Sequence, residues 1–290
     1  MEKAKGIDVS HWQGIVDFEK VRAQGYTFVM INAGYGKYAG QKDESFERNY
    51  AAAKKAGLDV GAYWYSYALT EADALAEAKT FLDAVKGKKF EYPLAFDIED
   101  ASQSELSNAA INKMITAFCG HLESKGYYTA VYSYADFLKR KVSDTVKNRF
   151  DIWVAHFDVA KPAAENYGIW QYTSKGTVNG VQSRCDCNYA YRDYPAIIKE
   201  KGLNLYAPAT KVLDTTGYKK GDKGNGVLAL KYLLMLAKEN GLHKTALDKN
   251  GILGVGTEKA VNSILKSHGY SQNGIAGKKF IDLIGNELLK

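Results

Sequence analysis

Apolar and polar positions in the first 150 residues follow two alternating patterns. Short runs of strand-like apolar residues are separated by longer segments with helical spacing. The predicted strands are residues 5–11, 27–34, 59–68, 92–100 and 128–135, and the predicted helices are residues 17–25, 44–57, 70–87 and 107–126. Strands that alternate with helices predict a parallel sheet, and closure of that sheet into a barrel is the favoured arrangement.

The ends of these predicted helices carry their own signals. Thr70 with Asp73 is typical of the capping box that begins a helix. Each helix ends at a glycine, the residue that most readily adopts the left-handed conformation after a last helical turn. The four closing residues are Gly25, Gly57, Gly87 and Gly126.

The pattern changes after residue 150. Residues 151–157, 167–173 and 185–191 are strand-like, but the segments between them are too short for full helices. We therefore expect an α/β fold in which residues 1–206 form an irregular, TIM-like (β/α) barrel.

The remaining residues have a different character. Residues 207–212, with Ala, Pro and Thr and no periodicity, are the predicted linker. Beyond it, three segments have helical spacing, and the echo of "NGILG" at 250–254 in "NGIAG" at 273–277 precedes the second and third of them. Residues 213–290 are therefore expected to form a small all-α domain, of a size that is only marginally stable alone.

Charge and aromatic content separate the two parts further. Residues 211–290 hold 13 Lys, no Arg and 7 acidic residues, a net charge of +6, whereas residues 1–210 hold 26 basic and 26 acidic residues. Only 4 of the 36 aromatic residues lie after residue 210. A basic helical part follows a neutral, aromatic-rich one.

The chain contains no apolar run long enough for a membrane span and no apolar signal-peptide region near its start. We expect a protein that stays in the cytoplasm of the producing cell until release, unless a leader has been removed. Cys119, Cys185 and Cys187 lack the spacing of a disulfide framework or zinc site, so we interpret them as small buried hydrophobic residues in a reduced protein.

The stretch "YPLAFDIEDAS", residues 92–102, places acids in an apolar strand. Asp97 and Glu99 are two residues apart and therefore point to one face. A buried carboxylate without a partner is costly, so the two must be paired, solvated or catalytic. The chemistry of parallel barrels lies at the carboxyl ends of the strands, where Asp8 and Asp186 would join them.

Tyrosines follow the same strands. Tyr63, Tyr65 and Tyr67 share one face of the third predicted strand, and Tyr132 and Tyr134 share one face of the fifth. Such stripes are most often core, and each acid could have a Lys or Arg partner. The polar tips of the tyrosines and their closeness to the acids also fit walls that stack on sugar rings.

Paired carboxylates between aromatic walls are what glycoside hydrolysis requires. Glu99 is the expected general acid because it lies nearer the strand end, and a like charge on Asp97 would help to keep it protonated. Ser10 and His11 lack the nucleophile elbow of a hydrolase triad, and the five scattered His residues give no metal-binding spacing. We expect neither a metal nor a cofactor.

The chain resembles the muramidases of glycoside hydrolase family 25, the Chalaropsis-type lysozymes common among phage endolysins. The motifs that carry this resemblance occur in family order over about the first 200 residues, and together they are specific. They are "GIDVSHWQG" at 6–14, "FVMINAGYG" at 28–36, "GAYWYSY" at 61–67, "AFDIED" at 95–100, "AVYSY" at 130–134, "WVAHF" at 153–157 and "IWQYTSKGTVNGVQSRCDCN" at 169–188.

The resemblance implies hydrolysis of the β-1,4 bond between N-acetylmuramic acid and N-acetylglucosamine in bacterial peptidoglycan. By motif, the family's acids fall on Asp8, Asp97, Glu99 and Asp186. Glu99 matches the general acid, and Asp97 matches the residue that supports either the 2-acetamido group of the substrate or an ion pair at the anomeric carbon. The substrate-binding positions are expected at Tyr63, Tyr65, Tyr132, Trp153 and Gln171.

Some positions depart from the family pattern. Trp64 stands where many members have His, and Cys185 and Cys187 flank Asp186 where aliphatic residues are usual. None of these departures touches the four acids. Substrate selectivity is the property that they put in question.

The C-terminal part resembles a small three-helix peptidoglycan-binding domain, although Ile264 and Leu265 replace the usual aromatic–Gln pair. Its charge suits an anionic cell wall rich in phosphate polymers. A basic module that only packs or dimerises is the alternative, and no recognition-helix or arginine pattern supports nucleic-acid binding.

The sequence thus predicts a muramidase that acts at the bacterial cell wall after its release. A catalytically silent carbohydrate-binding protein on the same barrel is the alternative from another class, and retention of all four acids argues against it. Cleavage of another wall bond by an amidase or peptidase is a third possibility, against which the lack of metal-ligand or Cys–His spacing argues.

Overall fold

The computed structural model describes residues 3–207 and 211–290 of the 290-residue chain. The chain divides into two compact units, Met1–Pro208 and Ala209–Lys290. The predicted linker includes residues 208–210, which lie outside the described residues. Within the two described ranges, no helix has both the length and the apolar character that a membrane crossing requires.

The first unit is built around a closed barrel of eight strands, in which each strand pairs with its neighbours in chain order and β8 pairs with β1. The expected α/β barrel is therefore confirmed. The strands are β1 (Ala4–Val9), β2 (Phe28–Tyr35), β3 (Asp59–Tyr65), β4 (Leu94–Asp97), β5 (Thr129–Tyr134), β6 (Asp151–Ala155), β7 (Tyr167–Gly176) and β8 (Cys185–Ala190).

The expected irregularity of the closure lies in the direction of the last strand. Strands β1 to β7 run parallel to one another, but β8 is antiparallel to both β7 and β1. Only residues 177–184 join β7 to β8, and a parallel crossover needs a dozen or more residues. The start of β8 consequently lies at the same rim as the ends of the other strands, with Asp186 opposite Asp8 in the ladder.

Among the described residues of this unit, seven α-helices accompany the barrel, and four of them were predicted. The predicted ones have the expected left-handed glycines after their last turns, with φ between 75° and 84°. The helices are α1 (Phe18–Ala23), α2 (Phe46–Lys55), α3 (Glu71–Ala84), α4 (Asn108–Ser124), α5 (Ala135–Lys141), α6 (Asp144–Arg149) and α7 (Tyr194–Lys201), of which the last three were not predicted.

The apolar core of this unit has two layers, separated by the wall of the barrel. Alternate residues of β2 show the division, since Phe28 and Met30 belong to one buried cluster and Val29 and Ile31 to the other. The larger cluster packs the sheet against α1 to α6, and the smaller one fills the barrel interior and reaches α7. One end of the interior is left for polar groups.

The second unit contains α8 (Asn225–Glu239), α9 (Val255–Ser267) and α10 (Lys278–Leu288) around its own apolar cluster. The two similar sequence segments, residues 250–254 and 273–277, also share a hydrogen bond of the same kind. The Oδ1 atoms of Asn250 and Asn273 each accept a hydrogen bond from the backbone N–H two residues on, at 3.0 and 3.1 Å, shortly before α9 and α10 begin.

Candidate active site

A cavity of about 310 Å³ opens at the rim of the barrel where the parallel strands end. All nine side chains that were predicted to act on or bind the substrate line it. They are Asp8, Asp97, Glu99, Asp186, Tyr63, Tyr65, Tyr132, Trp153 and Gln171.

The four acids reach this cavity from three strands. Asp8 is the last residue but one of β1, Asp97 is the last residue of β4, and Glu99 follows two residues later. Their exposed fractions decrease toward the interior of the barrel. Asp97 and Asp8 are 4% exposed, whereas Glu99 is half-buried. The fourth acid, Asp186, comes from the start of the antiparallel β8.

Asp8 is held by two amides. Its Oδ2 accepts hydrogen bonds from Gln171 Nε2 at 3.0 Å and from Asn188 Nδ2 at 2.7 Å. Burial and the neighbouring Asp186 raise the pKa of Asp8 well above its ordinary value, and the two amides only partly oppose this. Since burial disfavours the ionised form of both Asp8 and Asp186, the pair retains a proton when isolated carboxyls would have lost theirs.

Asp97 and Glu99 have fewer partners. No described group forms a hydrogen bond with Asp97 Oδ1 or Glu99 Oε2, although both atoms are buried. Burial raises the pKa of Glu99 to about 7, with further contributions from Asp186 and Asp100. Burial, followed by the charges of Glu99 and Asp8, raises the pKa of Asp97 well above its ordinary value.

This pattern differs from the expected role of Asp97. Asp97 is more buried than Glu99, and this burial raises the pKa of Asp97 well above its ordinary value, so the charged form that was expected to act on Glu99 is disfavoured. The charges that keep Glu99 protonated come instead from Asp186 and Asp100. The general result, a glutamic acid with a pKa near neutrality, is as expected.

Positive charge is missing from the cavity. Among the described residues, none of the four acids forms an ion pair with Lys or Arg, and neither residue type lines the cavity. The interpretation in which each acid serves a structural ion pair therefore does not apply here. In the same residues, no group of three or more His, Cys, Asp or Glu side chains could hold a metal ion.

Aromatic side chains form the walls. The ring of Trp153 contacts those of Tyr132 and Tyr63 edge-on, with centroids 4.5 and 5.7 Å apart. Tyr65 donates from its hydroxyl to Asp100 Oδ2 at 3.2 Å. Tyr67 does not continue this wall, because β3 ends at Tyr65; its ring is half exposed and lies outside the cavity lining.

Several functional neighbours were missed from the sequence. Asn188 accepts from Trp153 Nε1 at 2.8 Å while donating to Asp8, and it follows Asp186 by two residues on the same face of β8. The same two-residue alternation places Asn32 beside Tyr63. The other lining residues that were not predicted to bind substrate are Ser10, His11, Trp12, Tyr134, Phe157 and Ser174.

The departures from the family pattern lie on the far side of the barrel wall. Trp64 is fully buried, donates to Gly36 O at 2.8 Å and stacks on Phe81 of α3. Cys185 and Cys187 are buried and free, as is Cys119. None of these side chains lines the cavity.

Comparison with known proteins agrees with this geometry. The sequence profile of glycosyl hydrolases family 25 matches residues 7–181, which is more than half of the chain. The chain belongs to this family. The match includes the first three of the four acids, and the fourth, Asp186, lies five residues beyond it.

Relatives in the family include the autolytic lysozyme of Clostridium acetobutylicum, which is 33% identical over 183 residues, or 63% of this chain and 54% of that protein. This chain thus spans about half the length of that relative.

Two solved structures resemble about two thirds of this chain. The lysozyme of Streptomyces coelicolor superimposes with a TM-score of 0.62 at 26% identity, over 69% of this chain and 99% of that one. The modular autolysin LytC of Streptococcus pneumoniae, solved with a synthetic peptidoglycan ligand, has a TM-score of 0.59 at 27% identity, over 66% of this chain and 47% of that one.

Proposed function

We propose that this chain is a muramidase that hydrolyses the β-1,4 bond between N-acetylmuramic acid and N-acetylglucosamine in bacterial peptidoglycan. The observation that carries the proposal is the group of four carboxyls without a cation, in a cavity walled by aromatic rings, in a chain of family 25. The lysozyme relatives and the peptidoglycan complex of the related autolysin support the choice of substrate.

Glu99 acts as the general acid. Its pKa of about 7 keeps about half of the carboxyls protonated at pH 7 and most of them at lower pH, so Glu99 can donate that proton to the leaving glycosidic oxygen. It is also less buried than Asp97, which leaves it accessible to a bound sugar. A carboxylate of ordinary pKa at this position would be ionised and unable to donate.

Asp97 lies deeper and supports the anomeric centre. Asp97 stabilises the positive charge that develops on the sugar, either directly or through the 2-acetamido group of the substrate. The amide-held Asp8 and its partner Asp186 fix the floor of the cavity and supply the negative potential that favours this charge.

The aromatic walls position the sugars. Trp153 contacts Tyr63 and Tyr132 through ring edges, which leaves a rigid apolar surface for the faces of the sugar rings. Tyr132 also donates to Gln171 Oε1 at 2.9 Å, which connects this wall to the amide that holds Asp8.

End-group analysis of purified peptidoglycan tests the proposal. Digestion by the wild type should produce new reducing ends of N-acetylmuramic acid, and digestion by Glu99→Gln should produce none. New reducing N-acetylglucosamine or new free amines would mean that another bond is cleaved. Binding without any new ends would make the protein a carbohydrate-binding protein.

The second unit is the proposed wall-binding domain. Its net charge of +6 complements the phosphate-rich polymers of an anionic wall, and attraction between exposed charges weakens as salt screens them. Sedimentation of the full-length Glu99→Gln variant with purified walls should show several-fold weaker binding in 0.5 M than in 0.05 M NaCl. Walls stripped of their anionic polymers should lose this salt dependence, and unchanged salt dependence on stripped walls would contradict the proposal.

A further inference from the structure

The loop that carries Glu99 depends on its backbone for its position. Glu99 Oε2 has no partner among the described residues, so the side chain does not anchor itself. On the N-terminal side, Ile98 is fixed to β5, because Ser133 Oγ donates to Ile98 O at 2.6 Å and Ile98 N donates to Tyr132 O at 3.0 Å. The C-terminal side of Glu99 needs an equivalent anchor.

Gln103 supplies that anchor. Its side chain is completely buried, and its Oε1 accepts a hydrogen bond from the backbone N–H of Asp100, the residue that follows Glu99, at 3.1 Å. Its Nε2 donates to Ser66 O and Ala68 O, both at 3.1 Å, and lies 3.3 Å from Ser66 Oγ. One amide thus joins the Glu99 loop to the segment that follows β3.

The segment after β3 is itself firmly held. Ser66 N donates to Asp97 O at 2.9 Å, and Tyr67 N donates to Glu77 Oε1 on α3 at 2.9 Å. Gln103 therefore fastens the Glu99 loop to a fixed support. The backbone between Asp97 and Asp100 is restrained on both sides of Glu99.

We infer that Gln103 is a positioning residue for Glu99, acting through the backbone of Asp100. The inference rests on the proposed function, since it concerns the placement of the general acid. Gln103 also orients Asp100, whose Oδ2 accepts from the Tyr65 hydroxyl in the cavity wall. Loss of the amide lets the loop move and carries Glu99 away from the scissile oxygen.

A buried amide at the opposite rim of the barrel provides a matched control. Asn204 is also completely buried, its Nδ2 donates to Phe90 O and Tyr92 O at 3.0 Å, and its Oδ1 accepts from Tyr128 N at 2.8 Å. It makes the same kinds of contact as Gln103, but with the segments before β4 and β5 instead of the segments after β3 and β4. Its left-handed backbone, with φ of 52°, makes a substitution there the harsher test of stability.

The test compares Gln103→Met with Asn204→Leu, each of which replaces a buried amide by an apolar side chain of similar size. Both should lower the melting temperature. In Gln103→Met, kcat on soluble peptidoglycan fragments should fall by about 10- to 100-fold with KM within about threefold, because a displacement near 1 Å at a reacting group costs roughly that much. In Asn204→Leu, kcat should stay within about threefold of the wild type.

The pH profile gives a readout that a purely structural role would not move. Displacement of Glu99 toward solvent lowers its raised pKa, so the basic limb of kcat should shift to lower pH in Gln103→Met and stay in place in Asn204→Leu. If Gln103→Met does not fold, Gln103→Glu is the variant that tests the inference. It keeps an oxygen that accepts from Asp100 N and loses the amide group that donates to Ser66 O and Ala68 O. The kcat of Gln103→Glu should fall by a smaller factor than the roughly 10- to 100-fold expected for Gln103→Met.

Each outcome has a distinct meaning. A folded Gln103 variant with wild-type kcat and an unmoved basic limb overturns the inference while the muramidase stands. Equal losses of kcat at both rims also overturn it, since these follow from reduced stability alone. A wild type that releases no muramic acid reducing ends overturns the proposed function, and the inference with it.

Discussion

Glu91 and Glu99 lie at the two ends of the same strand, β4, and have opposite surroundings. Glu91, before the strand, is buried but accepts hydrogen bonds from the Lys54 ammonium, the Tyr206 hydroxyl and Val60 N. Glu99, after the strand, has a buried oxygen without a partner among the described residues. One short strand therefore separates a fully partnered acid from an unpartnered one.

The pKa values of the two residues differ accordingly. Burial acts to raise the pKa of Glu91, but the hydrogen bonds from Lys54 and Tyr206 outweigh it and lower the pKa below its ordinary value. Burial raises the pKa of Glu99 to about 7, and the nearby Asp186 and Asp100 add to the effect. In these two acids, burial therefore raises the pKa only where no bonded cation offsets it.

The largest expected effect is on turnover by Glu99→Gln. Removal of the general acid should reduce kcat on peptidoglycan by about 10²- to 10⁴-fold, measured as reducing ends released, while binding to walls stays nearly intact. The melting temperature should be equal to or above that of the wild type, because the variant no longer buries an unpartnered carboxyl. Loss of folding in Glu99→Gln would instead mean that Glu99 is structural.

The matched substitution at the other end of β4 should give the reverse result. Glu91→Gln leaves Lys54 without its anion and should destabilise the protein by roughly 1–3 kcal/mol at pH 7, with kcat within about threefold of the wild type. The lowered pKa of Glu91 stabilises the fold above the unfolded-state pKa. The difference in melting temperature between wild type and variant should therefore shrink as the pH falls below about 4.5, the ordinary value. A large loss of kcat in Glu91→Gln would contradict the proposed difference in role between Glu91, before β4, and Glu99, after it.

A smaller effect is expected on the pH dependence of the wild type and of Asp186→Asn. Because Glu99 must be protonated to act as an acid, kcat should decline as the pH rises through about 7. Asp186 is the nearby charge that contributes most to the raised pKa of Glu99, so Asp186→Asn should shift this decline to lower pH. Asp59→Asn, which changes a half-buried acid at the opposite rim, should leave the decline in place. A decline that moves equally in both variants would contradict the assignment to Glu99.

The sequence was sufficient for the parts of the site that follow from local alternation. Asp97 and Glu99 point to one face of β4 because they are two residues apart, and the left-handed glycines gave the helix ends. Helices α5 and α6 escaped prediction because each is only about two turns long, and Val142 and Ser143 interrupt their spacing.

The surroundings of Glu99 could not be predicted in the same way. Asp186 approaches it only because β8 is antiparallel, and the direction of a strand depends on its connection and on closure of the barrel. The degree to which burial raises the pKa values of Asp97 and Glu99 depends on the depth of each side chain, which is a three-dimensional property. The sequence identified the acids, and the fold determined which of them influence one another.

The smallest effect concerns a third buried glutamate, Glu77, which is partnered on one side only. Its Oε1 accepts from Tyr67 N, its Oε2 has no partner among the described residues, and burial raises its pKa to about 7. The ionised form is therefore disfavoured in the folded state. The contribution of Glu77 to wild-type stability should fall as the pH rises from about 4.5 to 7, by up to about 3 kcal/mol.

Glu77→Gln removes this titration and keeps an acceptor for Tyr67 N. Its melting temperature relative to the wild type should accordingly increase between pH 4.5 and pH 8, whereas kcat below pH 7 should change little. Glu71→Gln, at an exposed position of the same helix, should show no such trend with pH. If the difference in melting temperature between Glu77→Gln and the wild type does not change with pH, hydrogen bonding to one carboxyl oxygen is enough to keep a buried glutamate ionised. The contrast between Glu91 and Glu99 then depends on the carboxylates around Glu99 more than on the burial of Glu99.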